Sequence, residues 1–261
     1  MFPIIPADSA TGASGNTEGI FGFGNTGPSY NSITNLVSNT GVVSSNQAAT
    51  TGTARGYLAA CEYGEDKGIF GYGRISPPPY AVSMTNLVSN TGVVASDVSG
   101  VGSARKEVAA CGYGEDKGIF GFGSLGDVPT HTRTAVTNLV SNAGVVASDT
   151  AGVGTARGSA SATQYGGDKG IFGFGNPTGG GGVAITNLVS NAGVVASDQA
   201  AVTGTVRQNL AACSYGADKG IFGYGSGPTA VTNLVSNAGV VSSDVAGVGT
   251  ARQTVAACSF N

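Results

Sequence analysis

Residues 210–225 read "LAACSYGADKGIFGYG": two short apolar runs with turn-forming residues between them. The second run carries Phe222 and Tyr224 between glycines, and "ADK" at 217–219 supplies a hairpin turn. A loop leads on to "AVTNLVSN" (230–237) and then to "GVVSSD" (239–244). The Asn-Ala-Gly between these two is a turn of the kind that needs positive φ. The unit predicts four strands of about five to seven residues, a usual strand length.

The unit recurs. "GIFG" begins at Gly19, Gly68, Gly118, Gly170 and Gly220, and "TNLVSN" at Thr34, Thr85, Thr137, Thr186 and Thr232. "GVV" begins at Gly41, Gly92, Gly144, Gly193 and Gly239, and an Arg preceded by Ala or Val stands at 55, 105, 157, 207 and 252. Each landmark has five copies, spaced by 45 to 52 residues. Four antiparallel strands at that period predict propeller blades. A β-solenoid is the rival architecture, but solenoid coils run shorter and need special capping units. The last unit stops after its first strand, "TVAACSF", while the first unit begins at its second, "EGIFGFG". Each end holds what the other lacks. The expectation is an all-β chain forming a single five-bladed β-propeller over 19–261. Val255–Phe260 would pair beside Gly19–Gly24 and close the ring, with Gly19, Ile20, Phe21, Val255, Ala257, Cys258 and Phe260 as the clasp. Residues 1–18 read as an extended leader.

Composition agrees with a folded β protein. The 261 residues include 45 Gly and 9 Pro, yet 41% are apolar, against the pattern of disorder. A net charge of −3, with no Lys/Arg cluster, gives no footprint for nucleic acid. No apolar run approaches the roughly 20 residues of a membrane span, and the N-terminus has no basic region of the secretory kind. Cys61, Cys111, Cys213 and Cys258 each follow an Arg by six residues, and Thr163 takes the fifth such place. A position that accepts Thr reads as a small buried residue rather than a disulfide or metal ligand.

The order "AR…LAACxYGxDKGIFGYG…TNLVSNxGVVxSD" resembles a degenerate kelch repeat, with Gly71 and Gly73 where that family has paired glycines. The chain departs from it in having no Trp. The resemblance implies a propeller and carries over no kelch function. The arrays "DKGIFGYG…TNLVSNTGVV…GVGTAR" and the opening "MFPIIP" also look like those of virion or tail-associated proteins of marine phages.

Chemistry is sparse. Catalysis needs a constellation, and His131, the sole histidine, lies in a connector without counterpart elsewhere. The reading is a solvent-exposed loop histidine and no enzyme, with no cofactor or metal. Asp97, Asp149, Asp198 and Asp244 close the fourth strands, and Asp66, Asp116, Asp168 and Asp218 sit in the hairpin turns. Both sets suit the satisfaction of nearby backbone N–H groups. The repeated arginines either line a channel and hold an anion or pair locally with an acid or carbonyl, the latter preferred. The Asn of each "TNLVSN" is expected to hydrogen-bond between strands.

Variation concentrates in the connectors between second and third strands. These predict one rim presenting Tyr30, Arg74, Tyr80, Asp127, His131 and Arg133, a common way to build a recognition surface. The functional expectation is a non-enzymatic structural or adhesion module of a virion. Residues 1–18 would contact other virion proteins and the rim a host surface glycan or protein. Two alternatives are kept: a lectin with repeated inter-blade sugar sites, and a cytoplasmic protein–protein scaffold.

Overall fold

A computed structural model describes residues 18–47, 52–78, 80–126, 132–199 and 204–259. These residues are all-β, with no helix among them. Each of four repeats forms a three-stranded antiparallel sheet. In the third, Lys117–Gly121 lies between Ala109–Tyr113 and Thr137–Val140. The matching sheets run through 59–88, 161–189 and 211–235. The first sheet has two strands, Gly19–Gly22 and Thr34–Val37.

The expected fourth strand is a bridged segment instead. Val140 bridges Val146 and Thr137 bridges Thr150, so the register slips by one residue between them. The cause is the side chain of Asn138. Its Nδ2 donates to Ala147 O at 3.0 Å and to Asp149 at 2.9 Å, in place of a backbone ladder bond. Such a one-residue bulge bends the strand locally. Asn35, Asn86, Asn187 and Asn233 do the same in their sheets. The inter-strand hydrogen bonding expected of these asparagines is therefore present.

Neighbouring sheets lock through one repeated contact. A Cβ on Gly121 would lie 2.7 Å from the Phe172 ring of the next sheet, so only Gly allows this approach. Phe70 meets Gly22, Phe120 meets Gly71, and Phe222 meets Gly173 in the same way. Each ring also packs edge-on against the aromatic that directly follows the glycine. Phe122–Phe172 centroids are 5.1 Å apart, and Phe23–Phe70, Tyr72–Phe120 and Phe174–Phe222 repeat the pair. Cys61 Sγ and Cys111 Sγ cover Gly118 and Gly170, and Thr163 offers its methyl to Gly220. Burial pushes the Cys111 thiol up to about 12. The cysteine site is a small-volume packing site, which is why Thr can replace it.

The fifth interface is not formed. Phe21 is 47% exposed, whereas Phe120, Phe172 and Phe222 are fully buried. Gly223, the glycine it would cover, has only Thr232 of its own sheet nearby. Among the described residues Gly19–Gly22 pairs with Thr34–Val37 alone, and 255–259 forms no strand. The expected clasp is thus absent there, and Phe260 lies outside the described residues, as does the leader up to residue 17. Thr254 N–H donates to Asn209 O at 2.9 Å, and Arg252 stacks on Tyr224. These tie the last segment to the fifth sheet, as every first strand is tied to the sheet before it. A cavity of about 520 Å³, bordered by Gly223, Tyr224, Arg252, Val255 and Ala257, stands at this open interface.

Candidate functional site

Each sheet has two ends of different character. At one end lie the hairpin turns, nearly identical in sequence. Asp116 takes Lys117 Nζ and, at 3.0 Å, Asn142 Nδ2, and Asp66, Asp168 and Asp218 repeat the arrangement. Hydrogen bonds from Lys and Asn hold these carboxyls below the usual carboxylate range. Turn N–H groups also donate to the next repeat, as from Gly114 to Asp168 O at 2.7 Å.

The other end gathers the parts that differ. All five connectors start and close alike, with Phe122 N–H on Val136 O at 3.0 Å and its equivalents. Their first residues pair with the residue after each repeated Arg: Arg74 with Gly56, Ser124 with Lys106, Asn176 with Gly158. The connectors therefore share a face with the entry to the first strands. Of the predicted rim residues, Tyr30 packs its ring over Gly56, and Arg74 stacks on Tyr80 with 5.0 Å to the ring centroid. Arg133 reaches Glu107 and forms an ion pair. Asp127 and His131 lie outside the described residues.

Sequence reasoning missed what stands between the connectors. Two residues after each Arg come Tyr57, Glu107, Ser159, Asn209 and Thr254, and all five border one cavity of about 220 Å³. Five residues further along, Glu62 and Gln164 hydrogen-bond across Gly112, where a Cβ would collide with both. Burial raises the Glu62 carboxyl against the opposing effect of Gln164. The signal was available: when the five copies are aligned, these positions change while Ala110 and its equivalents, Ala60, Ala162, Ala212 and Ala257, stay fixed.

The repeated arginines settle their two readings in favour of local pairing. Arg55, Arg105, Arg157 and Arg207 are fully buried. Arg157 lies 4.0 Å from the Phe122 ring centroid of the preceding sheet. Its Nε donates to Phe174 O at 2.7 Å and its Nη2 to Asn187 at 2.6 Å. Desolvation, only partly countered by Asp97 and Asp198, brings Arg55 and Arg157 down to about 10. The fourth-strand acids bind the incoming chain. Asp198 takes Thr155 N–H at 3.0 Å and Thr155 Oγ1 at 2.6 Å, as Asp97, Asp149 and Asp244 do with Thr53, Ser103 and Thr205. Among the described residues no group of three or more His, Cys, Asp or Glu stands together as metal ligands.

No protein-family model matches the sequence, and no curated protein matches it either.

Proposed function

We propose that the chain is a non-enzymatic adhesion module whose binding surface is the connector face. The observation that carries this reading is the segregation of variation. Four or five near-identical copies of every turn stand at one end of the sheets, and five different connectors with five different axial residues stand at the other. A scaffold under structural demand alone has no reason to concentrate its differences toward one face. The fold we infer is a five-bladed propeller. Convergence of all five repeats on one cavity supports it, as does the Glu62–Gln164 contact across an intervening sheet. The unfilled partners at the ends are complementary: Phe21 for Gly223, Arg252 for Asn35, and Val255–Phe260 for the free edge of Gly19–Gly22. Placement on a phage virion, with residues 1–18 toward other virion proteins, rests on the sequence resemblance.

The test is an array of glycans and host-surface proteins, probed with the full chain and two variants. One replaces connector 124–136 by the short 226–231 connector; the other is Asn90→Ala with Asn142→Ala on the turn face. Capture lost in the first and kept in the second supports the reading. Capture that depends on the turn face, or about five sugar sites per chain, overturns it. Peptides of this chain in purified particles would place it on the virion, and their absence removes that placement.

A further inference from the structure

We propose that the axial cavity on the connector face binds one neutral hexose, as the terminal residue of a glycan. This rests on the reading of that face as a recognition surface and names its ligand.

The cavity, about 220 Å³, has an apolar floor and a polar rim. The floor is Leu58, Val108, Ala160, Leu210 and Val255, and Val108 and Leu210 belong to the core. The rim is Tyr57, Glu107, Ser159, Asn209 and Thr254. An apolar floor with a few convergent polar groups is the usual make-up of a small-molecule site.

The rim backbone is held in an unusual state. All five residues have φ between 51° and 57°, a left-handed conformation that favours Gly. None of the five is Gly. A ladder fixes the conformation: Glu107 N–H donates to Tyr57 O, Ser159 to Glu107 O, Asn209 to Ser159 O and Thr254 to Asn209 O, at 2.9–3.1 Å. Backbone groups make this ladder, so the side chains are left for other contacts. Among the described residues no hydrogen bond occupies the side chains of Asn209 or Thr254. Side chains kept where the backbone would favour Gly suggest a use for them.

The chemistry selects the ligand. Glu107 is neutralised by Arg133 and also accepts from Ser159 Oγ at 3.3 Å, so the rim offers no uncompensated charge. An anion would meet the Glu107 carboxylate. A purely apolar group would fill the floor and leave the Asn209 and Thr254 groups desolvated without partners, which is unfavourable. A hexose answers both parts. Its C–H face suits the floor and the Tyr57 ring, which is 52% exposed. Its hydroxyls both donate and accept, as do Ser, Thr and the Asn amide. The remainder of the glycan would leave across the connectors, past Tyr30 and Tyr80.

The experiment is titration of the full chain with the methyl glycosides of glucose, galactose and mannose, followed by calorimetry and by backbone amide NMR. We expect one site per chain, with shifts at Tyr57, Ser159 and Asn209. Asn209→Gly and Ser159→Gly, which suit the left-handed backbone, should each weaken binding at least tenfold without lowering Tm, while Asn90→Ala leaves it unchanged. Two variants are used so that one remains if the other fails to fold. No shift with any glycoside, or binding unaffected by both variants, overturns the proposal. Shifts confined to the connectors at Tyr30, Tyr80 and Arg133 overturn the axial site but keep the face as recognition surface. Shifts centred on Asn90 and Asn142 overturn both.

Discussion

A guanidinium without solvent contact, such as that of Arg157, survives burial because every side of it is met. The Phe122 ring lies under it, Phe174 O and Asn187 accept from its edge, and Asp198 stands 3.8 Å away. Arg157→Met keeps the stacking volume but leaves Asn187 and Asp198 without their cation. Loss of one partner from a buried pair costs about 3–5 kcal/mol, and partial exposure of Asp198 puts the expectation at the low end, measured by urea unfolding. The acids give a pH dependence. For Asp97, Asp149, Asp198 and Asp244, burial raises the pKa, but hydrogen bonds from Thr or Ser and Asn outweigh it and hold the carboxyl low. A depressed folded-state value means stability present above the unfolded value, near 3.9, and lost as pH falls through the folded one. Tm should therefore drop between about pH 5 and pH 3, and Asp149→Asn should flatten that drop. These local roles of Asn and Asp were legible in the sequence, since polar groups at fixed places in apolar strands need fixed partners. The pairing of Arg with a carbonyl and an acid was legible too, but its ring partner was not, because it comes from the preceding repeat.

At the scale of the strand and turn, periodicity and turn residues were enough. The hairpin turn lies at 216–218, one residue before the predicted "ADK" because Lys219 already pairs in the strand, while the glycines at the "GVV" turns, with φ of 75–78°, stand where the pattern placed them. Ala217 has φ 66° at a turn position where Gly would be relaxed. Ala217→Gly should stabilise the chain by about 0.5–1 kcal/mol through relief of that conformation, seen as a raised Tm. The same substitution away from left-handed φ would destabilise. The fourth strand shows where pattern reading stops. "GVVASD" has strand-like composition, but Asn138 and its equivalents occupy the carbonyls that a continuous ladder would use. Side-chain competition for a backbone acceptor leaves no trace in hydrophobic alternation.

Across the whole molecule, the repeat count was readable, while the cavity bordered by the residues after each Arg was not, because it exists only where five distant segments meet. Closure can be decided with two phenylalanines. Phe172→Ala should cost about 3–5 kcal/mol, the usual loss for a buried Phe. If the ring closes as inferred, Phe21→Ala should approach that value and deletion of 254–261 should unfold or aggregate the chain. A Phe21→Ala change below about 0.5 kcal/mol, with a stable deletion, shows the ends to be independent.

The Phe-on-Gly contact between sheets has a direction, with a plug on one side of every repeat and a socket on the other. Because each copy carries both, removing or duplicating a whole repeat leaves the remaining plugs and sockets matched. Near-identical copies are also the substrate that homologous recombination uses to gain or lose units. The contact thus makes repeat number a quantity that a gene can alter in single steps, each new array inheriting a working interface while its set of connectors is reshuffled.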